Sequence, residues 1–171
     1  MVDATFRQGP GQAVELDATD REILRLLQHD GRMTNAAVAE AVGLTATPML
    51  QRIKKLEQRG IIQRYVAIVD RQAVGRGTMA IVSVKLKEHR LATHKHFLEV
   101  IAGFAEVLEC HHIAGDDDFL LKVVVRDIAE YEHFLLHRLT GAPGIDRITT
   151  TFVLSSRKAE TALPIDEEGP Q

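Results

Sequence analysis

A chain of 171 residues can hold one large domain or two small ones, and its 45% hydrophobic and 26% charged content is ordinary for a soluble globular protein. No apolar run approaches the ~20 residues that span a bilayer, residues 1–14 hold no apolar core of signal-peptide length, and the single cysteine, Cys110, excludes an internal disulfide and fits a reducing cytoplasm. With no Trp and 5% aromatic residues, base stacking is excluded as the binding mode; the net charge of −3 conceals a local +4 over residues 45–65, where Arg52, Lys54, Lys55, Arg59 and Arg64 face only Glu57, beside an acidic stretch from 76 to 171.

Residues 1–14, with Gly9-Pro10-Gly11, read as a flexible leader. A first helix starts at Asp17, an N-cap with Asp20 three residues on, carries Ile23, Leu24, Leu26 and Leu27 as its apolar stripe, and ends at Gly31. Thr34 caps a second short helix with Val38 and Val42 inside, ended by Gly43. Thr45 caps a third, with Pro48 in its first turn where the missing N–H costs little. At 100° per residue Met49, Leu50, Ile53 and Leu56 share one side, while Thr47, Pro48, Gln51, Arg52, Lys55 and Arg59 share the other. Gly60 stops this helix, and β-prone residues 61–70 supply a wing. The pattern is a winged helix-turn-helix over residues 15–69, whose last helix is shaped for the major groove.

Residues 70–78, DRQAVGRGT, read as a linker. From Met79 the period changes. MAIVSVKL is strand-like, 93–102 is helical with Phe97, Leu98 and Ile101 apolar, and 106–114 and 118–125 are strands about an acidic turn. Residues 127–139 form a helix with Ile128, Tyr131, Phe134 and Leu135 inside, and 148–155 form the last strand. The order β-α-β-β-α-β over 79–164 is that of a ferredoxin-like sandwich, so the fold class is α+β. Residues 165–171 form a mobile tail. In FLLKVVV both alternating faces are apolar, with Leu120 and Val124 on the second. A sheet with helices on one face usually leaves the other polar. The simplest cover for that second face is another copy, in a symmetric dimer.

Two places carry chemistry. On the third helix, Gln51 can pair with adenine and Arg52 with guanine, and Thr47 can touch a thymine methyl or a phosphate. Lys54, Lys55 and Arg59 suit phosphates, and so do Arg32, Thr34 and Asn35 at the opening of the second helix, with Thr45 at the opening of the third. The plain alternative is a solvated basic face. The second place is the turn Gly115-Asp116-Asp117-Asp118. Its carboxylates suit the α-amino group of an amino acid, and Thr149, Thr150 and Thr151 offer hydroxyls to an α-carboxylate. A simple β-turn uses the same residues. Cys110, His111 and His112 with these aspartates raise a metal- or thiol-responsive alternative, but successive histidines point to opposite faces of a strand. No metal site, no cofactor and no nucleophile–base–acid set for an enzyme is expected.

Four segments resemble the leucine-responsive regulator/AsnC (Lrp/AsnC, feast/famine) family of transcriptional regulators: LDATDREILRLLQHDGR from residue 16, GLTATPMLQRIKKLEQRGIIQRY from 43, ECHHIAGDDDFLLKV from 109 and PGIDRITTTFVL from 143. The resemblance implies a DNA-binding domain followed by an effector-binding, oligomerising domain, with dimers that assemble to octamers. It implies a small effector, an amino acid in many members, held around the turn between dimers. Gly115, Asp116 and Asp118 match the family's turn, Asp117 sits where the motif varies, and His112 borders the implied pocket. The effector strand reads Thr149-Thr150-Thr151, which does not suit a large apolar ligand such as leucine. The expected protein is a cytoplasmic, prokaryotic, nucleoid-associated regulator on a pseudo-palindromic DNA site, with no membrane partner. An effector-insensitive architectural DNA binder is the alternative.

Overall fold

Three helices come first, and each starts where its cap is written. In the computed structural model, which describes residues 15–88 and 90–166, α1 spans Ala18–His29. The leader expected at 1–14 lies outside the described residues, as do 167–171 of the tail. The Asp17 side chain accepts the Asp20 N–H at 2.7 Å, satisfying one of the donors that a helix start leaves open. Helix α2, Asn35–Ala41, is capped by the Thr34 hydroxyl, which accepts the Ala37 N–H at 3.2 Å. Helix α3, Ala46–Gln58, begins after Thr45 and stops at Gly60, whose φ of +68° few other residues adopt.

Ile23, Leu24, Val38, Ala39, Met49, Ile53 and Leu56 bury together as the core of the three helices. A large aliphatic side chain buried in this way stabilises the fold by about 1.5–3 kcal/mol. Leu50, expected inside, is 39% exposed instead. The wing also departs from expectation: among the described residues, 61–70 hold no strand. A strand needs a partner, and this half of the chain offers no second β-prone segment to pair with it.

The second half has the expected order. Strand β1 is Thr78–Leu86, α4 Leu91–Ile101, β2 Val107–His112, β3 Phe119–Val125, α5 Ile128–Phe134 continuing through a π-helical turn at Leu135–Leu139, and β4 Ile145–Phe152. The four strands form one antiparallel sheet in the order β2-β3-β1-β4. Alternate residues Ala80, Val82, Val84 and Leu86 of β1 and Phe119, Leu121, Val123 and Val125 of β3 pack on Phe97, Ile101, Tyr131, Phe134 and Leu139 of the helices. Ile128, expected inside, is 66% exposed at the start of α5. On the face away from the helices lie Met79, Ile81, Ser83 and Lys85 of β1 and Leu120, Lys122 and Val124 of β3. Lys122 interrupts the apolar character expected there, and its Nζ lies 2.8 Å from Glu109.

The backbone divides into two units. One runs to Ala67 and resumes at Lys158; the other is Ile68–Arg157. The tail therefore differs from expectation. Residues 158–164, expected to close the second domain, group with the first unit, and Ile165, expected in a mobile tail, is held there. Ile165 packs against the three-helix core, and Leu163 and Ile165 hydrogen-bond to α1. One apolar side chain in an otherwise polar end was too weak a signal to reveal this.

Candidate nucleic-acid interface and effector site

The exposed side of α3 is built by its caps and core. Burial of Met49, Ile53 and Leu56 turns Thr47, Gln51, Lys54, Lys55 and Arg59 to solvent, while Pro48 is half-buried. Arg32, Thr34 and Asn35 are exposed at the opening of α2. Thr34 spends its hydroxyl on the α2 cap, whereas the Thr45 hydroxyl makes no cap hydrogen bond at α3.

Arg52 requires a correction. Its Nη1 donates to Asp17 Oδ2 at 2.6 Å and to Asp20 Oδ1 at 2.7 Å. The guanidinium thus clamps α3 to the start of α1 and does not stand with Gln51. Position 52 falls between the buried row and the outward row, and two carboxylates on α1 decide which way it turns. The Asp20 N–H first, and Arg52 with it, hold the Asp17 carboxyl below the usual carboxylate range; the same pairing raises the Arg52 pKa. Asp17 and Asp20, expected only as helix-start signals, are thus also the ion-pair partners of Arg52. The clue was Asp20 itself: a carboxylate this close to an apolar stripe needs a cation.

The turn after β2 is tied to the sheet at two points. The Asp118 N–H donates to the Val84 carbonyl at 2.9 Å, and Asp118 Oδ2 accepts the Leu86 N–H at 2.7 Å. Asp118 is buried, so its carboxylate holds the hairpin to β1 and is not presented to a ligand; this corrects its expected place in the effector set. Gly115 has φ +147°, which only glycine adopts readily, and Asp116 is exposed beside it. Asp117, set aside as variable, accepts a hydrogen bond from Arg147 Nη2 at 2.8 Å. That bond brings the turn to β4.

The three threonines then separate. Thr149 pairs across from Ser83 and Thr151 from Ile81, on the face away from the helices, with Arg147 across from Lys85 on the same face. Thr150 points to the other face, where its hydroxyl meets the Tyr131 hydroxyl. His112 is also on the helix face, its ring 5.3 Å from His94 and 5.1 Å from Phe119. It belongs to β2, at the opposite edge of the sheet from β4. Thr150 and His112 are therefore corrected out of a single cluster with Thr149 and Thr151: strand alternation and sheet order keep them apart. The open-face cluster is Asp116, Asp117, Arg147, Lys85, Ser83, Thr149 and Thr151. Arg147 was missed because its role appears only once β4 lies beside the turn.

Cys110 shares the helix face, and burial raises its thiol pKa to about 11. It is protonated at neutral pH and a poor nucleophile. Among the described residues no group of three His, Cys, Asp or Glu is placed to hold a metal ion, and no helix is long and apolar enough to cross a membrane.

Comparison with known proteins assigns both halves. Residues 16–63 match a winged helix-turn-helix DNA-binding family, and residues 79–163 match the Lrp/AsnC ligand-binding domain. The chain belongs to the Lrp/AsnC family. It is 37% identical over 151 residues to the DNA-binding transcriptional activator DecR of Escherichia coli K12, covering 88% of this chain and 99% of that one. It is 38% identical to the leucine-responsive regulatory protein of Rhizobium meliloti, covering 90% and 97%. Among solved structures it resembles a transcriptional regulator of Neisseria meningitidis in complex with L-Met, with TM-score 0.83, 34% identity and coverage of 88% and 97%. An AsnC family regulator of Agrobacterium tumefaciens gives TM-score 0.82 at 38% identity, with coverage of 87% and 97%. As an Lrp/AsnC regulator, the protein binds DNA through its first unit and carries an effector-binding domain in its second.

Proposed function

We propose that this Lrp/AsnC regulator reads a pseudo-palindromic DNA site as a homodimer, and that an amino acid bound at the open-face cluster sets its affinity. The Asp117–Arg147 bond is the observation that carries the effector reading. It places carboxylates of the turn, the cations Arg147 and Lys85, and the hydroxyls of Ser83, Thr149 and Thr151 along one strip of sheet. A zwitterion needs that combination: anions for its ammonium, cations and hydroxyls for its carboxylate. The polar strip suits a small or polar side chain better than leucine.

Thr45, Thr47, Gln51, Lys54, Lys55 and Arg59 form the DNA-facing set, with Arg32 and Asn35 as phosphate contacts and Pro48 at the edge. Gln51 is the base reader in this set. Arg52 acts behind them by holding α3. Two features support the dimer: the open face keeps Ile81 and Leu120 only partly covered, and residues 61–70 carry exposed Tyr65, Val66, Ile68 and Val69 in a β-prone run without a strand partner in the described chain. Two heads on one dimer would meet half-sites one helical turn apart, ~34 Å. Octameric assembly and a place in the bacterial cytoplasm belong to the same reading.

A thermal-shift screen with the common amino acids, followed by light scattering of each hit, tests the effector. One amino acid should raise the melting temperature and change the DNA affinity or the particle mass. No shift with any of them, and an unchanged mass, would favour an architectural DNA binder. A footprint on the DNA upstream of the protein's own coding region tests the site, with two protected half-sites expected.

A further inference from the structure

The segment after β4 carries a local backbone restraint near its end. Leu163 precedes Pro164, which steers Leu163 away from the helical region, and Pro164 has a fixed φ and no N–H to satisfy. Helix α1 reads this segment at two alternate positions. The Leu163 N–H donates to Gln28 Oε1 at 2.7 Å, and Gln28 Nε2 donates back to the Leu163 carbonyl at 3.1 Å. Arg25 Nη2 donates to the Ile165 carbonyl at 2.9 Å, and Arg25 is itself steadied by Glu22 at 2.9 Å. The Ile165 side chain rests against the three-helix core. Arg25 and Gln28, three residues apart, share one face of the helix. Backbone groups read at alternate positions, together with one apolar anchor, make a receptor for an extended peptide. Proline lowers the entropy lost when such a peptide is seated.

The same helix holds α3. Asp17 and Asp20 at the start of α1 clamp Arg52, and the latch lies one to three turns further along α1. On its other side, residues 153–157 join the latch directly to β4, which carries Thr149 and Thr151. A continuous path therefore runs from β4 through the tail to α1, and through Arg52 to the DNA-facing helix.

We propose that residues 158–166 are a latch whose seat on α1 sets the DNA-binding competence of the first unit, and that the latch transmits the state of β4 to that unit. The seat stands on the hydrogen bonds and the Ile165 anchor; the transmission rests on the effector reading above. Coupling between the two ends of this path is what the experiment measures.

The test uses full-length Ile165→Asp and a chain ending at Arg157, with hydrogen exchange followed peptide by peptide. Amides of α1 should exchange at least about tenfold faster in both, with β1–β4 unchanged. Affinity for the DNA upstream of the protein's own coding region should fall by about tenfold. A synthetic peptide of residues 158–166, added to the shortened chain, should restore protection of α1. Gln28→Ala, which removes hydrogen bonds at an accessible site and leaves the core intact, should change both readouts in the same direction by less. Unchanged α1 protection and DNA affinity in the shortened chain would overturn the latch. For transmission, the common amino acids, each alone, are the probes. An amino acid that alters DNA affinity in the intact protein should lose that effect in the shortened chain. An equal response in both would overturn transmission, whereas no response in the intact protein counts against the effector reading and leaves the seat to the exchange data.

Discussion

Arg52 and Gln51 are sequence neighbours in different surroundings, one paired with Asp17 and Asp20 and the other exposed, and substitutions separate the roles proposed for them. Arg52→Ala removes two charge-assisted bonds at a partly exposed site, so stability should fall by about 1 kcal/mol in urea unfolding. DNA affinity should fall alike on matched and scrambled sites, because the whole helix α3 loses its hold. A loss confined to one base pair would return Arg52 to base reading. Gln51→Ala should leave stability within about 0.5 kcal/mol and relax preference at one base pair, at a cost of about 1–3 kcal/mol in titrations on substituted sites. Asp17 adds a pH signature. Its folded pKa is depressed, so its contribution is present above the unfolded value of ~3.9 and is lost as pH falls through the folded value. Asp17→Asn keeps a cap acceptor and loses the charge. The difference in melting temperature between the two proteins should hold steady from about pH 7 to about pH 5, then close below about pH 4.

At the scale of elements, the hairpin of β2 and β3 is fastened by Asp118 and offers Asp117 to β4. Asp118→Ala leaves the buried Leu86 N–H without its acceptor and should cost about 1–3 kcal/mol in urea unfolding, with faster hydrogen exchange at the end of β1. Arg147→Ala removes only an accessible ion pair, so stability should stay within about 0.5 kcal/mol while the amino-acid response disappears. A retained response would move the effector elsewhere. The helices were legible from their caps: Asp17, Thr34 and Thr45 begin them as written, since a cap depends on residues only three or four apart. The helix expected over 127–139 is present as α5, with its last turn widened to a π-helical turn. Leu50 and Ile128 were misplaced because a 100° projection fixes an angle on a helix but not the depth of what packs against it.

At the scale of the molecule, Leu120→Lys should halve the sedimenting mass without altering the far-ultraviolet spectrum if the open face joins two copies. An unchanged mass would place the interface elsewhere. The tail shows the same dependence on distant partners. Residues 163 and 164 read as the close of the second domain and Ile165 as a loose end because the Gln28 and Arg25 that hold Leu163 and Ile165 lie some 135–140 positions earlier. Patterns of local period, cap and charge were enough to write the three helices of the helix-turn-helix, the βαββαβ order and the basic helix that lies between Thr45 and Gly60, though not the wing, for which 61–70 form no strand. Those patterns depend on near neighbours and survive without a fold. Which arginine clamps and which glutamine faces outward, which threonines of β4 share a face with the acidic turn, and where the tail sits were decided by pairings between remote residues. The exposed basic face of α3, set outward by the burial of Met49, Ile53 and Leu56, is thus steadied through Arg52 by two carboxylates on another helix, a contact that exists only once α1 and α3 pack together.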